Sequence, residues 1–238
     1  MKEKIYGWQW FRDFFSITIF KYFVSWFALV PVFAKILEKL PKEIIISTAI
    51  EPYIITLQLP FKWEILWISS LFFIIAFILY KVFVPNFITK YFSLKYYKEF
   101  EHSPRWLVWE AQNLIISKTD LSKFVKRMSD KKYIKTSDNT INEKTFVEVK
   151  EKQTILYFSF DGKNYEFALP IINDDKKTEN KEETDIAVRE IFWEIFGRFS
   201  SSRVFIRGLI HSLLILSLVT FTIPFIQSIC TGLQYFFK

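Results

Sequence analysis

Three runs along the chain are apolar on every side, and their spacing sets the layout. Ile65 to Tyr80 holds sixteen consecutive uncharged residues, Gly208 to Phe237 holds thirty with only His211 able to titrate, and Phe14 to Ala34 is broken once, by Lys21. A helix rises about 1.5 Å per residue, so roughly 20 residues match a hydrocarbon core of about 30 Å. The pattern predicts an integral membrane protein, mostly α, with transmembrane helices at 14–34, 65–84 and 208–233. Segment 1–13 precedes the first span, a loop at 35–64 joins the first two, and a tail at 234–238 follows the third.

The polar stretch at 85–207 reads as a small α+β domain inserted between helices two and three. Asn86 to Phe100 interleaves aromatics with lysines, which suits a helix skimming lipid headgroups with its rings buried and its ammoniums wet. Ser103 and Pro104 are placed as the N-cap and first residue of the next helix, and a short helix follows over Asp120 to Met128. The runs TFVEVK, TILYFSF and NYEFALP alternate as strands do, and Asp161-Gly162 between the last two marks a hairpin. Residues 173–184 are a charged linker, expected to be disordered.

Over 185–199 the period changes to that of an amphipathic helix. Val188, Phe192, Ile195 and Phe199 share one face, with Glu190, Glu194 and Arg198 opposite. In the loop at 35–64, Ile-rich pieces punctuated by Pro41, Pro52 and Pro60 fit a strand pair or a re-entrant segment.

Charge orients these elements. Lys2, Lys4 and Arg12, then Lys81, Lys90, Lys95 and Lys98, then Arg198, Arg203 and Arg207 flank the spans on one side, while the loop at 35–64 has four lysines balanced by four glutamates. The positive-inside bias places the N-terminus and the inserted domain in the cytoplasm, and the loop and C-terminus outside the cell membrane. Lys90, Lys95, Lys98, Arg198, Arg203 and Arg207 are read as lipid-facing. The net charge of +7 then needs only a membrane partner, and nucleic acid is not expected. Within the insertion, Asn86 to Lys135 carries eleven basic and five acidic residues, Thr136 to Glu194 eight and fourteen. Headgroups attracting the first half and repelling the second explain the split; an acidic surface for a basic soluble protein partner is the alternative.

Aromatics make up 20% of the chain, with 28 Phe, as lipid-facing helices favour. Trp8, Trp10, Trp63, Trp67, Tyr80 and Tyr91 fall near span ends, where amphipathic rings collect. Cys230 is the lone cysteine, so no intrachain disulfide or cysteine-based zinc site forms. The first apolar run is too long for a signal peptide core and is expected to remain attached.

Catalytic signatures are absent: no phosphate-binding glycine loop, nucleophile elbow or zinc-binding His-Glu-x-x-His occurs, and the five glycines do not cluster. No cofactor or metal is expected, and His102 beside Glu101 reads as an exposed loop histidine. Polar residues inside the spans are the stronger signal. Thr18, Lys21 and Ser25 share a face of the first span; Ser217, Thr220, Pro224, Gln227 and Thr231, with Ser228 beside them, share a face of the third. Such a stripe either packs helices closely or lines a pore once copies assemble. Lys21 either snorkels to the interface or faces water. The expectation is a non-enzymatic, homo-oligomeric membrane effector or pore whose cytoplasmic domain senses a signal or partner, as in bacterial membrane-disrupting defence or toxin-type proteins. A structural or adaptor subunit of a larger secretion or transport complex is the alternative.

Overall fold

A computed structural model describes residues 7–18, 22, 29, 32–33, 35–36, 39, 43–47, 52–56, 62–138, 145–150, 153–169 and 179–236. In chain order these residues form α1 (Trp8–Ser16), β1 (Glu43–Ser47), β2 (Pro52–Thr56), α2 (Trp63–Phe83), α3 (Asn86–Lys90), α4 (Leu94–Glu99), α5 (Trp106–Ile116), α6 (Leu121–Asp130), β3 (Ile134–Thr136), β4 (Thr145–Val149), β5 (Thr154–Phe160), β6 (Lys163–Ala168), α7 (Glu179–Ser201) and α8 (Val204–Phe236). The fold is mostly helical, with a small antiparallel sheet. Two compact units result: Met1–Arg12 with Val84–Arg203, and Asp13–Phe83 with Val204–Lys238.

The apolar unit is built on α2 and α8. Both helices are long and apolar enough to cross a membrane, over Glu64–Phe83 and Val204–Gln234, and only 17% and 11% of their most apolar windows are buried. A core helix of a water-soluble protein is mostly buried, whereas these two leave most of their apolar side chains uncovered by the described residues. The helices run antiparallel: the Lys62 amide donates to Gln227 at 3.2 Å, and Ser69 meets Ser217 further along. Phe15 of α1 contacts Phe73, Phe77 and Tyr80 of α2, with ring centroids 4.9 to 5.8 Å apart. Of the two readings of the 35–64 loop, a strand pair is present, with β1 antiparallel to β2 and Glu43 opposite Thr56. Of the expected first span, Phe14–Ser16 belongs to α1. Most of the remainder, including Lys21 and Ser25, lies outside the described residues.

In the other unit, four strands lie in the order β3-β6-β5-β4, all antiparallel. β5 is central and buried over Thr154 to Phe158. Leu156 and Phe158 alternate onto the same face as Phe167, which meets Phe124 of α6 at 6.0 Å. Between β5 and β6, Asp161 and Gly162 both adopt positive φ, 51° and 73°, the geometry a two-residue hairpin requires. A long seam of Val188, Phe192, Ile195 and Phe199, with Ala187, Ile191 and Phe196, buries α7.

Several boundaries differ from expectation for local reasons. Asn86 to Phe100 is two short helices, because Ser93 is extended and its hydroxyl caps α4 by accepting from the Tyr96 amide. Ser103 is not an N-cap: Ser103, Pro104 and Arg105 make a turn in which the Trp106 amide donates to the Ser103 carbonyl, and α5 starts after it. α7 begins at Glu179, inside the stretch read as disordered linker, six residues before the start that apolar spacing indicates; residues 173–178 lie outside the described residues. β3 is three residues long, too short for an alternation to register, and gains its place by pairing with β6.

Candidate functional site

The polar stripe of α8 begins with serines that serve each other across the helix pair. Ser69 Oγ donates to the Ser217 carbonyl at 2.7 Å, and Ser217 Oγ donates to the Ser69 carbonyl at 2.9 Å. Small side chains allow this approach, and the reciprocal bonds leave neither hydroxyl unsatisfied in an apolar setting. Pro224, further along the stripe, is buried, and Gln227 accepts from the Lys62 amide. Thr220 and Thr231 return their hydroxyls to carbonyls of their own helix, and Ser228 is half-buried. Part of the stripe is thus a packing seam within one chain. Thr18 is exposed.

At the other end of the chain, Trp8 and Arg12 of α1 are held within the unit that contains Val84–Arg203. Trp8 is fully buried and its indole N–H donates to the Ser202 carbonyl at 3.0 Å. Arg12 is also buried. Its guanidinium donates to the carbonyls of Ile88, Tyr91 and Phe92 at 3.1 to 3.4 Å and lies 4.5 Å from the centre of the Phe92 ring. Those carbonyls end α3, where a cation is favoured by the unpaired C=O groups and the helix dipole. Sequence reading counted Arg12 only as one positive charge among many; its partners lie some eighty residues away.

The basic residues expected to face lipid divide. Lys95 is exposed, and Lys90 is exposed with its ammonium about 5 Å from the Tyr91 and Trp106 rings. Lys98 pairs with Asp185 at 3.1 Å. Arg203 is exposed, in a left-handed conformation with φ 52°. Arg198 and Arg207 are instead turned into the fold. Arg198 bonds Glu194 at 2.6 Å and Asp120 at 2.9 Å, and Arg207 is buried at 9% exposure. Glu194, placed on the solvent face by periodicity, is buried too, because α6 covers it and brings Arg127 to 3.2 Å. Burial alone would raise the Asp120 carboxyl; hydrogen bonds from Arg198 and Lys123 and their charge bring it below its ordinary value.

His102 is not the exposed loop histidine the sequence suggested. It is half-buried, its ring nearly parallel to Phe100 at 5.3 Å and to Trp106 at 4.9 Å. Tyr91 and Tyr97 approach its edge. Glu110 of α5 is electrostatically coupled to this cluster; burial raises its carboxyl despite the hydrogen bond from Asn113 and the nearby charge of Lys90. Glu101, the expected companion of His102, is exposed.

A groove of about 670 Å³ opens beside the sheet, with Ile155, Ala168 and Ala187 among its lining residues and Lys132, Lys135 and Glu166 among its polar ones. At its margin Lys131 and the Tyr133 hydroxyl both bind Glu190, at 3.0 and 3.1 Å. Burial and that carboxylate push the Tyr133 phenol up to about 12. Cations and carboxylates alternate here, so the groove favours neither charge. Among the described residues no group of histidines, cysteines and carboxylates could hold a metal ion. Comparison with protein-family models, with curated proteins and with solved structures finds no match to this chain.

Proposed function

We propose that the protein is a homo-oligomeric, non-enzymatic effector of the cell membrane. Its soluble unit receives a signal or partner in the cytoplasm and passes the change to the spans. In this reading α2 and α8 cross the bilayer, the N-terminus and soluble unit are cytoplasmic, and the C-terminus lies outside. The observation that carries it is the near-continuity of α7 and α8, separated only by Ser202 and Arg203. A core helix of the soluble unit thus leads almost directly into an apolar helix. Trp8 and Arg12 add a second tie, since α1 is held at Ser202 and at the end of α3 by buried hydrogen bonds. A displacement of α7 therefore has one covalent route out of its unit, through Ser202 and Arg203, and one hydrogen-bonded route, through α1.

The test is membrane potential in cells carrying a voltage-sensitive dye. Induction depolarises the membrane within minutes, and two glycines inserted between Ser202 and Arg203 abolish the effect while the protein still integrates. Full potential at high expression, with the native partner present, refutes the effector reading. The reciprocal Ser69–Ser217 bonds favour a second reading, a structural or adaptor subunit, because they assign part of the polar stripe to packing within one chain. Cross-linking in mild detergent separates the two: like copies around the spans support the effector, and foreign subunits support the adaptor.

A further inference from the structure

Three polar atoms of one cluster in the soluble unit are enclosed with no hydrogen-bond partner among the described residues: Tyr91 Oη, Tyr97 Oη and His102 Nε2. Their rings adjoin. Tyr91 and Tyr97 have centroids 5.0 Å apart, and His102 lies 6.0 and 5.8 Å from them. Tyr91 is 0% and Tyr97 2% exposed, so bulk water does not reach the phenols. Phe100 and Trp106 cover the two faces of His102, and Phe192 of α7 lies 5.4 Å from Tyr97. Buried polar atoms in folded proteins are almost always paired, with protein or with ordered water. Three orphans in one cluster point to an occupant.

We propose that Tyr91, Tyr97 and His102 line an internal hydration site, in which ordered water bridges Tyr91 Oη, Tyr97 Oη and His102 Nε2. The chemistry of the walls selects a small neutral molecule that both donates and accepts. Each phenol can do either, and an imidazole nitrogen accepts or donates according to tautomer. A buried water typically uses two to four such partners. Burial raises the Tyr97 phenol and the Glu110 carboxylate adds to that, so an anion here is disfavoured. An ammonium ligand meets competition from Lys90, already about 5 Å from the Tyr91 and Trp106 rings.

The site matters to the rest of the unit through Tyr91. The residue whose hydroxyl faces the water also gives its main-chain carbonyl to Arg12, at 3.4 Å. Hydration thus sets the position of a residue that holds α1. This inference does not depend on the effector reading.

Thermal unfolding of the full-length protein in detergent micelles decides it. A water-bridged hydroxyl contributes stability, so Tyr91→Phe and Tyr97→Phe each lower the Tm by several degrees. The double variant loses less than the sum, because both remove bonds to the same water. In a dry cluster each Phe deletes an unsatisfied group, and the Tm of both variants stays level or rises. That result overturns the proposal, as does a high-resolution density map with no feature between the three atoms. Phe keeps the ring and its packing, so loss of fold does not obscure the reading. The effector proposal is tested separately by membrane potential, and either can fail alone.

Discussion

At Glu194 a carboxylate with 7% of its side chain exposed binds Arg198 on its own helix and Arg127 on α6. Arg198, 11% exposed, reaches on to Asp120 at the start of α6. Removing one partner of such a buried group strands the other's charge. Glu194→Ala is expected to cost about 3 kcal/mol, read as a lowered midpoint in chemical denaturation. The helical spacing of Glu194 and Arg198 was legible in the sequence, but Asp120 and Arg127 were not, being more than sixty residues away and brought near only by packing of α6 on α7. Glu110 gives the pH counterpart. Burial lifts its carboxyl, so the folded state holds that proton more tightly than the unfolded state does. Its contribution is complete below the ordinary value of 4.5 and declines as pH rises through the raised one. Glu110→Gln is therefore expected to flatten the fall in Tm measured from about pH 4 upward through this window.

For whole elements, periodicity was a good guide where one face dominates. The buried seam of α7 and the Asp161-Gly162 hairpin were both readable, the first from apolar spacing and the second from turn chemistry that needs positive φ. Periodicity failed where a break depends on one side chain, as at Ser93, or where pairing alone makes the element, as for β3. In α8 the polar stripe was visible, but its partner was not, since Ser69 is one small residue in an otherwise apolar run. The α2–α8 pair yields a measurable consequence. Ser69→Ala and Ser217→Ala should each destabilise the helix pair, with a coupling energy of about 0.6 kcal/mol in a double-mutant cycle followed by unfolding in mixed micelles. Independent effects would mean that the two serines bond elsewhere in the membrane.

On the scale of the whole molecule, α8 carries a broad exposed apolar surface among the described residues, with Ile215, Leu218, Val219 and Phe225 each more than half exposed. Alkaline carbonate should therefore leave the protein in the membrane pellet, whereas release into the supernatant would contradict the proposed spans. A reporter fused after Lys238 and reachable only from outside the cell matches the proposed topology. The chain's charge asymmetry was the sole guide to that orientation, because sidedness depends on the membrane and its insertion machinery as well as on the fold. The anchorage of α1 carries a practical lesson for anyone wishing to excise a water-soluble piece. Cutting at Val84 and Arg203 discards the indole that occupies the Ser202 carbonyl and the guanidinium that closes the end of α3. A trimmed fragment should be grafted to the stretch around Trp8 and Arg12, or it will leave the chromatography column as aggregate.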